Sequence, residues 1–477
     1  LFVKKIILIS APYQHLYGSV SSLVSFYFPL GLGYIASFLE KNGYSVSLIA
    51  EDGQTNVFDE VARQICDDDL LYVGISSMTA SFPAALKLAR MIKNKIPDVP
   101  IAIGGPHAAA LKRIILDNYS EFDFVCFGEG ELTALEIAES LSGRSSISDV
   151  TGIIWRNSES GAIIENPPRA FHQSLDDFPY PARHLVNFQN YSLHSSINTS
   201  GKVKSATILT SRGCPYQCLF CATHLTAGRK HRFHSEEYIL GELRFLKERY
   251  GIKHVFFEDE VITVNRARLN SLCRAIIDNN LDMVFSCFSR VDIFDEPMAE
   301  LLKSAGFRMV IFGVESGAPE ILKQMNKGAS LDQARKAIDI CKKYDLKSYA
   351  IFIVGLPFET LADVRQTIKF AFDLDASMIT INPFVPFPGT PLFSMEDHYP
   401  KTVDGWAKFL MTSAPPFDMV PGVSGSKLQQ VINQAHLKYY IRPNQIFRFL
   451  KRLKSFDEFP VLVKAFWMIL KRSINKI

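Results

Sequence analysis

The stretch ATILTSRGCPYQCLFCATH, residues 206–224, decides how the chain is read. Its first residues form an apolar, β-branched run of strand type, and a loop carrying Cys214, Cys218 and Cys221 follows at once. Three thiolates so close together ask for a metal. Each can bind one iron of a cubic four-iron cluster, which leaves the last iron open to a small molecule. The competing reading is a zinc site completed by His224, although structural zinc usually pairs two short ligand knuckles across a longer loop. A disulfide framework is disfavoured. The chain holds eight cysteines in 477 residues, and Cys66, Cys126, Cys273, Cys287 and Cys341 stand singly in apolar runs.

Towards the C-terminus the same alternation continues. Strand-like runs HVFFEDE, MVFSCFS, RMVIFGVES, SYAIFIVG and MITINPFV are separated by helical segments such as SEEYILGELRFLKERYG and LDQARKAIDICKKYD. With the opening strand they make six βα units over 204–385, a partial (β/α)6 TIM-like barrel. Chemistry is expected at the carboxyl ends of its strands, where the cysteine loop lies.

Towards the N-terminus, residues 1–150 contain five further runs, VKKIILIS, YSVSLIA, LLYVGISS, VPIAIGG and FDFVCFG, again separated by helical patterns. This predicts a parallel sheet covered on both faces, a doubly wound, flavodoxin-like (Rossmann-type) α/β domain. Its strand ends carry Ser76, Ser77 and Thr79, then Gly104, Gly105 and His107, then Gly128 and Glu129. Glycine allows close backbone approach and hydroxyls bond a polar rim, so three such ends along one sheet edge predict a cofactor site. The first loop lacks G-x-G-x-x-G, which disfavours NAD.

Residues 151–203 read as a β-hairpin, with Gly161 near its turn, followed by a proline-punctuated linker. Residues 386–477 read as a lid and a mainly helical C-terminal region. Near its end Phe459, Val463, Phe466, Trp467, Leu470 and Ile474 share one helical face. That face predicts either docking on the body or, given the basic residues around it, a peripheral membrane contact.

A hydrophobic content of 47% over this length allows more than one core. A net charge of +3 does not support nucleic acid as a partner. LFVKKIILIS ends at Pro12 and reads as a strand rather than a secretory signal, and no apolar run reaches the ~20 residues of a bilayer span, so a cytoplasmic location is expected.

The motif GCPYQCLFC resembles the C-x3-C-x2-C signature of radical S-adenosylmethionine enzymes. PLGLGYIASFLEKNGY, VGISSMT, IGGPHA and FGEGE resemble the cobalamin-binding domain of the B12-dependent class, and FFEDEVIT, FSRVD, FGVESG, FIVGLPFET and PFPGTPLF resemble its barrel motifs. The resemblance implies a [4Fe-4S] cluster on Cys214, Cys218 and Cys221. It implies S-adenosylmethionine placed by Phe220, Asp259, Arg290, Glu315, Ser316 and Gly355, with an ion pair between Glu315 and Arg290 as the plainer role for those two. It assigns cobalamin to the edge carrying Ser76, Ser77, Thr79, Gly104, Gly105, His107, Gly128 and Glu129. The reaction implied is methylation of an unactivated carbon, with cyclisation or rearrangement of a lipid or tetrapyrrole as one alternative and a non-catalytic zinc- and ligand-binding protein as another; the 12% aromatic content and the amphipathic tail lean towards a small, apolar substrate. An electron donor such as flavodoxin or ferredoxin is implied as a partner. One departure concerns D-x-H-x-x-G, the cobalt-ligating motif of other cobalamin domains. Its place reads Tyr13-Gln14-His15-Leu16-Tyr17-Gly18, and without the Asp, His15 is not expected to ligate cobalt.

Overall fold

The structure, a computed structural model, describes residues 4–23, 26–65, 69–191, 204–411 and 417–450. Five N-terminal strands form as the alternation predicts: β1 (Lys5–Ser10), β2 (Ser45–Ile49), β3 (Leu70–Ser76), β4 (Ile101–Gly104) and β5 (Phe124–Cys126). They are parallel, in the order β2-β1-β3-β4-β5, which is the flavodoxin-like order. The order reverses between β1 and β3, so the loop after β1 stands at the point where such sheets take their ligands. Ser10, Ser76 and Gly104 pair across β1, β3 and β4 and define one carboxyl edge.

The hairpin belongs elsewhere than its place in the sequence suggests. Its strands β6 (Ile153–Arg156) and β7 (Ile163–Glu165) pair antiparallel onto β5, so the first sheet has seven strands and the linker begins only after them. Ile153 and Ile154 are fully buried, and that burial fixes the hairpin to this edge.

The second sheet opens with β8 (Ser205–Ile208). A short antiparallel pair, β9 (Ser211–Arg212) and β10 (Arg232–Phe233), follows and stands apart from it. Strands β11 (His254–Phe257), β12 (Val284–Ser289), β13 (Phe307–Glu315), β14 (Lys347–Val354) and β15 (Met378–Pro383) complete a parallel sheet in the order β15-β14-β13-β12-β11-β8, the predicted six-stranded partial barrel. Local sequence sets the connecting helices. Ser235 caps the helix Glu236–Tyr250, whose end is Gly251 in the left-handed region, and Ser330 and Thr360 close capping boxes on the helices Leu331–Lys343 and Leu361–Leu374.

Alternation along the strands separates two faces. Val255, Phe257, Phe285, Val310, Phe312, Ala350, Phe352 and Ile379 point outward into a core shared with the helices. Phe256, Met309, Ile311 and Met378 point inward, joined by half-buried Phe288, Tyr349, Ile351 and, from the loop after β1, Tyr27. Strand β14 alternates strictly between half-buried and buried residues, so the inner wall remains accessible.

The two sheets are not independent. One hydrophobic cluster runs through both, and the fully buried pair Arg183–Glu242, 2.7 Å apart, ties the linker to the barrel. The C-terminal region crosses back over the first sheet, where Val385, Trp406 and Phe409 enter its second core. The apolar face running from Phe459 to Ile474, like Cys66, lies outside the described residues. Among the described residues no helix is long and apolar enough to cross a membrane.

Candidate active site

The cysteine loop is drawn into a closed lobe by its neck, where β9 and β10 pair Arg212 with Arg232 and Ser211 with Phe233. Just inside the neck Gly213 has φ +97°, and a Cβ there would stand 2.2 Å from the Lys230 carbonyl, so only glycine lets the two arms meet. Cys214 N donates to Gly228 O (3.2 Å), Leu219 N to Met325 O (3.0 Å) and Asn326 Nδ2 to Gln217 O (2.9 Å). These bonds lay the loop over the segment that follows β13. All three cysteines are free and half-buried. Burial raises the Cys214 thiol, with Cys221, Glu260 and Cys218 adding to it; burial also raises Cys218, against the pull of Lys327 and Arg290.

Beneath the loop lie the carboxyl ends of β12 and β13. Arg290 Nη1 is 4.0 Å from Cys218 Sγ, its guanidinium stacks on Tyr216 at 3.6 Å, and its Nε is 2.9 Å from Asp292 Oδ1. Glu315 has φ +69°, after an irregularity in the β13–β14 register, and pairs with Lys327 Nζ at 2.7 Å. The expected Glu315–Arg290 ion pair is therefore not formed. Each residue has another partner, because the bulge at Gly313 turns the Glu315 side chain towards Lys327. A Cβ at Gly313 would stand 2.3 Å from Glu315 Oε1. Phe220 lies 6.0 Å from Lys327 Nζ on the same side.

Other expected residues are occupied by structural work. Asp259 is fully buried and accepts from Thr210 N (3.2 Å), Thr210 Oγ1 (2.7 Å) and Ser211 Oγ, so it anchors the chain leading into the neck. Ser316 bonds Thr367 Oγ1 at 3.0 Å and accepts from Ala318 N. At Gly355 (φ +94°) the space a Cβ would fill is taken by Leu428, from the helix Gly425–Tyr440.

The neighbours of Asp259 face the other way. Glu258 is half-buried and follows Phe256 in the inward phase of the alternation; Glu260, beyond the strand end at Phe257, is half-buried near Cys214, Arg212 and Arg232. Burial, and then the Asp259 charge, lifts Glu258 to about 7. Burial is also the main reason Glu260 stands at about 7, and its Oε2 has no partner among the described residues. Glu258 adds to the raised pKa values of Tyr13 and Tyr27, both chiefly the work of burial, so the loop after β1 faces it across the inner wall. Neither glutamate was expected. Period-two counting from Phe256 along FFEDE was the signal that could have found Glu258.

At the edge of the first sheet, Ser76, Gly104 and Gly128 remain partly open, and Met78, not expected, is 42% exposed. Gly128 has φ +82° with nothing within 4 Å of the space a Cβ would occupy. Ser77 turns back to Met78 O (2.7 Å), and Thr79 is buried. Gly105 (φ +89°) is bare because a Cβ would stand 2.8 Å from Ser77 O. His107 does not face the edge at all. It is fully buried, 4.3 Å from the Phe82 ring and 4.8 Å from that of Trp406, and burial lowers it to about 3. Glu129 is turned away to Arg212 and Arg232. His15 is exposed.

Cofactor chemistry fits what remains. Among the described residues no three His, Cys, Asp or Glu side chains converge on one ion, so the Cys3His set with His224 is not assembled. A cube takes one thiolate per iron and needs no such convergence. The positive charges of Arg290 and Lys327 beside Cys218 suit an anionic cluster. A corrinoid needs bare backbone and an apolar contact, and Gly128 and Met78 offer both.

Comparison with known proteins agrees. The B12 binding domain profile matches residues 19–138, and the radical SAM superfamily profile matches 208–371. The chain is 31% identical to an uncharacterized methyltransferase of Pyrococcus horikoshii over 88% of this chain and 89% of that protein. It is 28% identical to the anaerobic magnesium-protoporphyrin IX monomethyl ester cyclase of a Synechocystis species over 74% and 69%. The fold is similar to that of the radical S-adenosylmethionine methyltransferase TsrM of Kitasatospora setae, whose structure holds cobalamin and a [4Fe-4S] cluster. That likeness has a TM-score of 0.67 at 18% identity and covers 82% of this chain and 74% of that one. The chain belongs to the cobalamin-dependent radical S-adenosylmethionine enzymes, and an iron-sulfur cluster, S-adenosylmethionine and cobalamin are its cofactors.

Proposed function

We propose that the enzyme methylates an unactivated carbon of a small, largely apolar substrate held against the inner wall of the second sheet. The observation that carries this reading is the half-open wall itself. Phe288, Tyr349 and Ile351 line it, Tyr27 of the first domain packs against it, and Glu258 supplies a carboxyl among them. A substrate there lies between a [4Fe-4S] cluster on Cys214, Cys218 and Cys221 and a corrinoid at the edge of β3, β4 and β5.

When bound, these cofactors supply a 5′-deoxyadenosyl radical to take a hydrogen atom and a methyl group to replace it. The residues around them bind and orient. Arg290 and Lys327 neutralise the cluster side, Glu315 is held by Lys327 at the strand end, and the apolar wall keeps water from the reacting carbon. Glu258, standing near 7, accepts or donates a hydrogen bond to a polar group of the substrate at neutral pH. Reduced flavodoxin or ferredoxin is the proposed electron donor. Residues 1–150 are assigned to the corrinoid and 204–385 to radical chemistry, with 386–411 as a strap between them.

Ring formation without methyl transfer is the second reading, and the likeness to the cyclase supports it. The test is anaerobic reconstitution with iron, sulfide and hydroxocobalamin, followed by incubation of S-adenosyl-[methyl-13C]methionine with an extract of small molecules. A product carrying the labelled methyl group is expected. Deoxyadenosine formed with an altered but unlabelled product would replace methylation by cyclisation, and a preparation holding zinc without iron or sulfide would end both readings.

A further inference from the structure

The neck of the cysteine loop rests on a set of buried charges that the proposed chemistry does not use. Glu129 Oε1 is 3.1 Å from Arg212 Nη1 and 2.9 Å from Arg232 Nη1, and Oε2 is 2.9 Å from the latter. The side chains of Glu129, Arg212 and Arg232 are 7%, 10% and 2% exposed. Arg212 Nη2 also reaches Glu131 Oε1 at 2.7 Å, and the linker adds His172 N to Glu129 Oε2 at 3.0 Å. We propose that Glu129 is a positioning residue that couples the two cofactor sites: it closes the neck of the cysteine loop from the first domain and sets that loop according to what occupies the first sheet's edge.

Three features carry the inference. The two arginines sit opposite each other on the two strands of the neck, so one carboxylate holds both arms. The carboxylate comes from the other domain, in the turn after β5. The residue before it, Gly128, is the left-handed position with open space around it, so a ligand resting there bears on the backbone that carries Glu129. Two arginines and two glutamates make a neutral set, and burial makes each depend on the others. Without the Glu129 charge, the hydrogen-bond partners left to Arg232 among the described residues are backbone carbonyls, His172 O at 2.7 Å and Ala227 O at 2.9 Å, with the Phe171 ring 5.0 Å away. The short helix His224–Ala227, directly after the cysteines, also packs on the helix Pro106–Leu111 that follows β4, so the loop is seated on the first domain at both ends.

The inference rests on the reading of the loop as a cluster site and the edge as a corrinoid site, and its test separates the two. In the reconstituted full chain, S-adenosylmethionine affinity is measured by calorimetry with and without hydroxocobalamin. The wild type should bind at least about fivefold more tightly with hydroxocobalamin present, a coupling of ordinary size. In Glu129→Gln the ratio should fall to about one, and Glu129→Asp should restore part of it. Hydrogen exchange on the chain without cofactors is the second arm. Amides of 213–231 should exchange about tenfold faster in Glu129→Gln while those of β11 are unchanged. Arg232→Lys, which keeps the charge but loses the fork, should repeat both effects if Glu129→Gln folds poorly. An undiminished hydroxocobalamin effect in these variants, no effect in the wild type, or unchanged loop exchange would each overturn the proposal. Absence of iron and sulfide from the wild type would instead strike the function reading, with the exchange arm still deciding the neck.

Discussion

The two sheets are built by the same alternation of strand and helix, yet only one is closed on both faces. In the first, Ile7, Ile9, Val73, Ile75 and Ile103 fill one core, while Ile6, Leu8, Tyr72 and Phe124 fill the other. In the second, the outward residues are sealed by helices, whereas the inward face is mixed: Phe256, Met309 and Ile311 are buried, and Phe288, Tyr349 and Ile351 stay half-buried. A sheet packed on both faces can offer a ligand only its edge, where backbone ends and turns meet water. A sheet with one half-open face offers an edge and a wall. The difference divides the labour of the molecule: the corrinoid needs an edge, whereas a substrate that must be shielded from water needs a wall.

Changes at the cysteines should have the largest effect. Each of Cys214→Ala, Cys218→Ala and Cys221→Ala is expected to abolish deoxyadenosine formation from S-adenosylmethionine, measured chromatographically after reduction. Unfolding free energy should change by less than about 1 kcal/mol, because the three are half-buried on a loop. Next comes the closed sheet. Ile75→Ala, at a site 1% exposed, should cost about 3 kcal/mol in urea denaturation. Ile351→Ala on the open wall should cost less than about 1 kcal/mol while changing which products form. Equal costs at the two positions would break the contrast between the faces.

Glu258 sharpens it through pH. Its folded pKa, about 7, lies above its ordinary value of 4.5, so the folded state holds the proton more tightly than the unfolded chain. Its contribution to stability is therefore full below the ordinary value and is lost as pH rises to about 7. Glu258→Gln should flatten that part of the profile between about pH 5 and about pH 8, read by urea denaturation across the range. An unchanged profile would mean that the open wall leaves the carboxyl as well solvated as in water. The smallest effect is expected at Met78→Ala, 42% exposed. It should leave stability within about 0.5 kcal/mol of wild type and weaken hydroxocobalamin binding, followed by its visible absorption.

The eleven parallel strands of the two sheets could be read from β-branched runs and their spacing, because each run is long enough to fix its own period. The same period, counted along FFEDE, sends Glu258 inward with Phe256 and turns Asp259 away to Thr210 and Ser211, so Asp259 is not the ligand-facing acid that the resemblance implies. Other roles could not be read locally. His107 looks like an edge residue until Trp406 covers it, and Glu129 looks like a ligand of the edge until Arg212 and Arg232 turn it aside. Both partners lie far along the chain, and no local pattern encodes such a meeting. The hairpin at Ile153–Glu165 is similar, since its strands are plain in sequence while the sheet they join is not.

Trp406 and Phe409 complete a core whose other buried members, among the described residues, run no further along the chain than Ile154, save for Val385. During synthesis a ribosome therefore makes the whole second sheet, through Pro383, before the residues that cover Phe82 and His107 exist. The nascent first domain carries an uncovered aromatic patch for that interval, the kind of surface chaperones hold. A chain terminated before Trp406 keeps every cysteine and every strand of the described residues and still lacks a finished first domain.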